Sequence, residues 1–230
     1  IEVIATTPVP GLGTPLRDIP ASLQSVRAED LRNSGSRDLA VHLERNLAGV
    51  SANSAQGNPH QLDLLYRGFT ASPLLGTPQG LSVFVDGARV NEAFGDTVNW
   101  DLIQTNAIAT THLMSGSNPV FGLNTLGGSL AIQTKSGFAF PGVSGRFSIG
   151  SFGQRSAQAE AGGHDEHQDY FIAANAQNQT GWREHATSQV RQAFVKSGWQ
   201  DERTDIDIAL ALADNTLEGA QATPVSMLGQ

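Results

Sequence analysis

From residue 142 to about residue 213, apolar and polar side chains alternate. Val143, Phe147 and Ile149 share one face against Ser144, Arg146 and Ser148. After the turn GSFGQ (150–154), Ala157, Ala159 and Ala161 oppose Ser156, Gln158 and Glu160. Past a polar turn of His164, Asp165, Glu166 and His167, the apolar face is Tyr170, Ile172, Ala174 and Ala176, against Asn175, Gln177 and Gln179. A loop at 182–187 precedes a further strand at 188–199, whose facing the pattern leaves open. Then Ile206, Ile208, Leu210 and Leu212 oppose Asp205 and Asp207. Period two predicts antiparallel strands, about five of them, joined by alternating short turns and longer loops. One apolar face per strand suits a transmembrane barrel and also a soluble antiparallel sheet. The Gln, Asn, Asp and Glu of the other face suit a wetted lumen better than a packed core.

The first 140 residues follow a different pattern. IEVIATT (1–7) is β-prone and runs into a Pro/Gly leader with Pro8, Pro10, Gly11, Gly13 and Pro15. A short strand is expected at 22–26 and a helical turn at 28–33, ending before Gly35. Leu39, Leu43 and Leu47 recur every fourth residue, so an amphipathic helix is expected from 36 or 37 to 47, with Asp38 at its positive end. Its charged face (Arg37, Glu44, Arg45) reads as solvated, and His42 as a surface or capping residue. The turn-rich run VSANSAQGNPHQ (50–61) leads to a β-prone run at 62–67 and on into Gly68 and Phe69. In LSVFVDGARVN (81–91), Asp86 and Gly87 between alternating valines mark a tight hairpin. Finally, 113–135 sets two extended runs around a core rich in turn residues. Its glycines allow close backbone approach.

Composition narrows the classes. The net charge is −8 over 230 residues, and without a basic run nucleic-acid binding is not expected. With no cysteine, disulfide frameworks and thiolate metal sites are excluded. No stretch approaches the roughly 18 apolar residues of a membrane helix. His164, Asp165, Glu166 and His167 are the one cluster of metal-ligand types, but their spacing fits no zinc motif and they sit in a turn, so no metal site is assigned. No nucleophile elbow, phosphate loop or dinucleotide fingerprint occurs, so no catalytic residue, enzyme activity or cofactor is expected.

The stretch 113–135, LMSGSNPVFGLNTLGGSLAIQTK, resembles the end of the plug domain of TonB-dependent outer-membrane receptors. Those plugs close on R-G-P, then Y-G, then G-G-x-I-x-x-x-T-K. Here Ser115, Gly116 and Ser117, then Phe121 and Gly122, then Gly127 and Gly128, and Ile132, Gln133, Thr134 and Lys135 stand at the matching places. V-x-V-D-G-x-R-V (83–90) resembles the family's central plug hairpin, and Leu65, Tyr66, Arg67, Gly68 and Phe69 resemble its I-R-G-F strand. There the arginine holds the plug together or contacts barrel carboxylates. Ser115 departs from the pattern, because the family has an arginine at that place.

The resemblance implies an α+β plug domain followed by antiparallel strands of a transmembrane β-barrel, incomplete in this chain. The implied domains are a leader at 1–15, a plug at 16–140 and barrel strands at 141–230. Five strands cannot close around such a plug, since plugged transporters use about 22. The chain is therefore read as the N-terminal part of a longer protein. Ile1, Glu2, Val3, Ile4, Ala5 and Thr6 look like a TonB box, the extended strip that adds a strand to periplasmic TonB. Loops at 53–61, 70–80 and 92–100 correspond to the plug's outward apex, where His60, Gln61, Phe94, Asn99 and Trp100 are the candidate ligand contacts. The implied role is TonB-dependent uptake of a scarce ligand across the Gram-negative outer membrane by a monomer embedded in outer-membrane lipid. A ferric siderophore or other metal chelate is the expected cargo; haem, cobalamin or carbohydrate remain open. So does a soluble, secreted β-rich binding protein. The scarcity of Arg and Lys in the apex loops speaks against a strongly anionic chelate.

Overall fold

The computed structural model describes residues 4–5, 14–15, 22–35, 38–54, 56–117 and 121–219. They fall into two compact units, one drawn from Ile1–Asn53 and Asp63–Lys135, the other from Ser54–Leu62 and Ser136–Gln230. In the first, β1 (Ile4–Ala5) pairs antiparallel with β2 (Thr14–Pro15), Ile4 opposite Pro15. The other residues of the TonB-box-like strip (Ile1, Glu2, Val3 and Thr6) lie outside the described residues.

Strand β3 (Leu23–Arg27) runs directly into helix α1 (Ala28–Ser34), where the Arg27 N–H donates to Asp30 Oδ2 at 3.0 Å. Helix α2 (Leu39–Asn46) starts later than its hydrophobic period suggests. Asp38 stays extended as its cap and accepts the Ala40 N–H at 2.8 Å. Leu39, Leu43 and Leu47 are buried, as their spacing predicts. His42 overturns its expected place on the surface, being 0% exposed. Ala40 and His42 are buried beside Leu39 and Leu43, so α2 is covered over more than its leucine stripe. The ring is accommodated by a 2.8 Å hydrogen bond between Ser34 Oγ and His42 Nδ1. Burial lowers the His42 pKa.

A three-stranded antiparallel meander follows: β4 (Val50–Asn53), β5 (Asp63–Tyr66) and β6 (Phe69–Ala71). The run expected to continue from Arg67 into Phe69 instead reverses. Arg67 (φ 51°) and Gly68 (φ 89°) form a tight turn that sets Tyr66 opposite Phe69. Arg67 is exposed, with its guanidinium carbon 5.2 Å from the Tyr66 ring centroid.

The main sheet of this unit contains β7 (Leu81–Val85), β8 (Ala88–Arg89), β9 (Ile108–Ser115) and β10 (Gly128–Thr134) in the order β3-β9-β10-β7-β8. Only the β7–β10 pairing in it is parallel. Asp86 and Gly87, both at positive φ, make the hairpin turn that the D-G pair predicts. The Asp86 carboxylate accepts the Thr134 N–H at 2.8 Å and the Thr134 hydroxyl, tying the turn to the end of β10. Leu81, Val83, Leu113, Leu130 and Ile132 are at most 2% exposed, and Ser82, Ala131 and Phe84 on alternate positions are buried too. The adjacent glycines meet a close backbone approach. A methyl group at Gly128 would fall 2.3 Å from the Met114 carbonyl oxygen, and one at Gly127 would fall 2.4 Å from the Phe69 ring.

The second unit is one antiparallel sheet in sequence order: β11 (Gly142–Ile149), β12 (Arg155–His164), β13 (Gln168–Gln179), β14 (Ser188–Gln200) and β15 (Asp205–Leu217). Among the described residues it stays open, with β11 and β15 at its edges. Register aligns Val143, Ala161, Ile172, Val195 and Leu210 in one cross-strand row. The neighbouring row is Gly145, Ala159, Ala174, Ala193 and Leu212. This apolar face is exposed, Val143 at 87% and Leu210 at 57%. On the opposite face Asp169, Asn175, Gln177, Gln192 and Lys196 are buried. They bond mutually: Asn175 Nδ2 donates to Gln192 Oε1 at 2.6 Å, Gln177 Nε2 to Asn175 Oδ1 at 3.2 Å, and Lys196 pairs with Asp207 at 2.8 Å. The facing of β14, open in the sequence, is now fixed, with Val190, Gln192, Phe194 and Lys196 buried and Arg191, Ala193, Val195 and Trp199 exposed. Among the described residues no helix is long and apolar enough to cross a membrane, which says nothing of strands that do.

Candidate ligand-binding site

Topology brings three loops of the first unit to one end of its sheet. Because β7 and β10 run parallel with Leu81 opposite Gly128, the loops that enter them arrive together. The Leu126 and Gly127 N–H groups both donate to Gly80 O, at 3.1 and 2.9 Å. Asn91 returns the third loop to the same end. Its side chain accepts the Val83 N–H at 2.8 Å and donates to Leu81 O and Asp96 O, each at 3.1 Å. The Val98 N–H then donates to Ser72 O at 2.9 Å, joining the 92–99 loop to the 72–80 loop.

Arg89 ties the third loop in. Its Nη2 donates to Asp96 Oδ1 and to Leu123 O, both at 2.8 Å, and lies 3.4 Å from Ser82 Oγ. Asn124 Nδ2 donates to the second Asp96 oxygen at 2.5 Å. Asp96 (φ 57°) and Asn124 (φ 58°) both hold left-handed backbone, which their short polar side chains tolerate. Ser82 and Thr125 share a 2.6 Å hydroxyl hydrogen bond beneath them. The result is a braced rim from which large apolar side chains project.

The structure places the candidate contacts unequally. Phe94 is 80% exposed at the tip of its loop, and Asn99 is half-buried with its amide donating to Glu92 Oε1 at 3.0 Å. Trp100 opens a 3-10 turn (Trp100–Leu102) and is only 2% exposed. Its indole N–H has no partner among the described residues. His60 and Gln61 belong to the second unit. There fully buried Asn58 organises their turn, accepting the His60 N–H at 2.9 Å and donating to Ser188 Oγ at 3.0 Å and Glu218 O at 2.7 Å. His60 is 8% exposed.

Sequence reasoning missed Leu75, Leu123 and Asn124 as rim residues. The run at 121–127 read only as a closing element. Nothing local marks it as a neighbour of 92–97, because the parallel β7–β10 pairing and the Arg89 bridge are long-range facts. The dense Gly/Asn/Thr turn chemistry was the one available signal.

Comparison with known proteins fits this geometry. The family model for the TonB-dependent Receptor Plug Domain matches residues 15–129. No curated protein sequence matches the chain. Among solved structures, the chain is similar to the copper transporter OprC, with 14% identity, a TM-score of 0.68, and 86% of this chain on 32% of that one. It is similar to the pyoverdine outer membrane receptor FpvA from Pseudomonas aeruginosa PAO1, with 15% identity, a TM-score of 0.68, and 87% on 28%. It is also similar to the ferric yersiniabactin uptake receptor FyuA from Yersinia pestis, with 17% identity, a TM-score of 0.62, and 85% on 31%. At these identities the likeness is one of fold, and the chain spans about a third of each structure's length. A plug followed by antiparallel strands, matched over half its length by the plug model, places this chain in the family of TonB-dependent receptors.

Proposed function

We propose that the receptor carries a scarce ligand, a ferric siderophore or other metal chelate, across the Gram-negative outer membrane at the expense of TonB. The observation that carries this reading is the second sheet's inverted pattern beside a plug of this family. Asn175, Gln177, Gln192 and Lys196 are buried on the face they share with Phe171 and Phe194, while the rows through Val143, Ile172, Val195 and Leu210 are exposed. A soluble sheet buries its apolar face, whereas a membrane barrel turns it to lipid and keeps polar residues inside. Tyr170 and Trp199, half exposed at the end with the short turns, and Trp182 in the longer loop serve in this reading as interfacial aromatics.

In this reading the leader spans 1–15, the plug 16–140 and the first barrel strands 141–230. The candidate ligand contacts in this reading are Phe94, Asn99 and Trp100 of the first unit and His60 and Gln61 of the second. TonB adds to the strip Ile1, Glu2, Val3, Ile4, Ala5 and Thr6 by strand pairing, which requires the short β1–β2 ladder to open. The soluble alternative predicts extraction without detergent.

The test is uptake by cells carrying the full receptor, supplied with iron, copper, haem, cobalamin or sugar sources, with and without TonB. Loss of growth on one source in both the receptor deletion and the TonB deletion is expected. Deleting residues 1–6 should abolish uptake while ligand binding persists. Uptake unchanged by either deletion would refute the proposal.

A further inference from the structure

We infer that the loop rim selects an uncharged or cationic ligand with an apolar face, and rejects anionic chelates. This deepens the transport reading and rests on it. No Lys, Arg or His occurs in 70–80, 92–100 or 121–127. The guanidinium at the rim, Arg89, is half-buried and directs its Nη2 at Asp96 Oδ1 and Leu123 O, at 2.8 Å each. The acidic groups of these loops, Glu92 and Asp96, outnumber that single cation. An anionic complex would meet net negative charge, because the Arg89 cation is already neutralised by Asp96 and Glu92 remains in excess.

The loops that carry the apolar side chains are linked by contacts within the first unit. Leu75 is 58% exposed, and its Cδ2 would lie 2.5 Å from a methyl group added at Gly95, next to Phe94. Phe94 is 80% exposed, and two residues on Asp96 holds Asn124, the neighbour of Leu123, itself 82% exposed. Three large side chains from three loops thus stand out around a rigid ionic brace. Such a patch with few polar groups fits the apolar organic shell of a ligand, with the Asn99 amide at its edge.

The experiment uses the purified full-length receptor in neutral detergent and two probes of similar size. One is a neutral ferric tris-hydroxamate complex and the other a trianionic ferric tris-catecholate complex, each titrated calorimetrically. The neutral complex should bind, the trianionic one at least about tenfold more weakly. Phe94→Ser and Leu123→Ser should each weaken the neutral complex by about tenfold, while Leu123→Met retains its affinity. Heat-modifiable gel migration verifies that each variant is folded. Equal or tighter binding of the trianionic complex, binding of neither probe, or serine variants with unchanged affinity would each overturn the inference. Unchanged serine variants would mean that other segments of the receptor cover the rim. The transport reading is judged separately, by whether uptake of the bound probe stops when TonB is deleted.

Discussion

The two sheets of this chain solve burial in opposite ways. In the first, β7 and β10 are buried on both faces, so Leu81, Val83, Leu130 and Ile132 face one side while Ser82, Phe84 and Ala131 are covered on the other. In the second, one face buries bonded amides together with Phe171 and Phe194, and the other is an exposed apolar band of Val143, Ile172, Val195 and Leu210. Identical residue types therefore carry different energies. A leucine in the first sheet is held by close packing, whereas a leucine on the outward face of the second needs only an apolar solvent. The lesson concerns the reference medium, because hydrophobic burial stabilises the first sheet from within and the surrounding lipid would stabilise the second from outside.

The largest effect expected to break this contrast is in the first sheet. Leu130→Ala, at 1% exposure between β7 and β9, should cost about 2–5 kcal/mol through lost transfer energy plus a cavity. Leu210→Ala, at 57% exposure, leaves no cavity and should cost about 1–2 kcal/mol. Urea unfolding of the full-length receptor in lipid vesicles measures both. Equal losses would mean that the outward face of β15 is packed against protein.

A charge tests the other side of the comparison. Val195→Arg puts a guanidinium in the middle of the outward row, between Ile172 and Leu210, and should cost about 2–4 kcal/mol if that row faces hydrocarbon. Gln189→Arg, on the same face near Arg191 and close to the loop end of the strand, should cost about 0–1 kcal/mol. Folding yield into vesicles and the unfolding midpoint read the difference. Two equal values near zero would return the sheet to water and sink the membrane reading.

How much of this was legible depended on the range of the deciding contact. The alternation of β11, β12, β13 and β15 and the Asp86–Gly87 turn are local, and both were readable. The facing of β14 was not, because Val190 and Phe194 lie on one face while Ala193, Val195 and Trp199 lie on the other. Only its register with Ile172 and Leu210 decides. His42 misled because a polar residue beside a leucine stripe looks solvated until Ser34 arrives to bond it. Among the candidate contacts, Phe94 was readable as a loop-tip aromatic. Trp100 is buried by packing that no local pattern shows, and the rim role of Leu123 needs the Arg89 bridge.

The smallest expected effect sharpens how the two units treat buried polarity. The second sheet buries amides that satisfy one another, and the first unit buries the Asp38 carboxylate at a helix cap. Burial raises the Asp38 pKa from 3.8 to about 6; the Ala40 and Val41 N–H groups oppose the rise, and the nearby Asp101 carboxylate adds to it. Native Asp38 therefore holds its proton where the unfolded chain has lost it, and stability falls as pH rises from about 4 to about 6, then levels off. The upper bound on that loss is on the order of 3 kcal/mol, since a tenfold change in proton affinity is worth about 1.4 kcal/mol. Asp38→Asn keeps a good cap and cannot ionise, so it should flatten the slope without unwinding α2. Amide exchange of residues 39–46 in the full-length receptor, corrected for intrinsic rates and followed from pH 4 to 7, compares the two proteins. A wild-type α2 whose protection does not fall across that window would show that the Asp38 carboxylate is solvated rather than buried at an electrostatic cost.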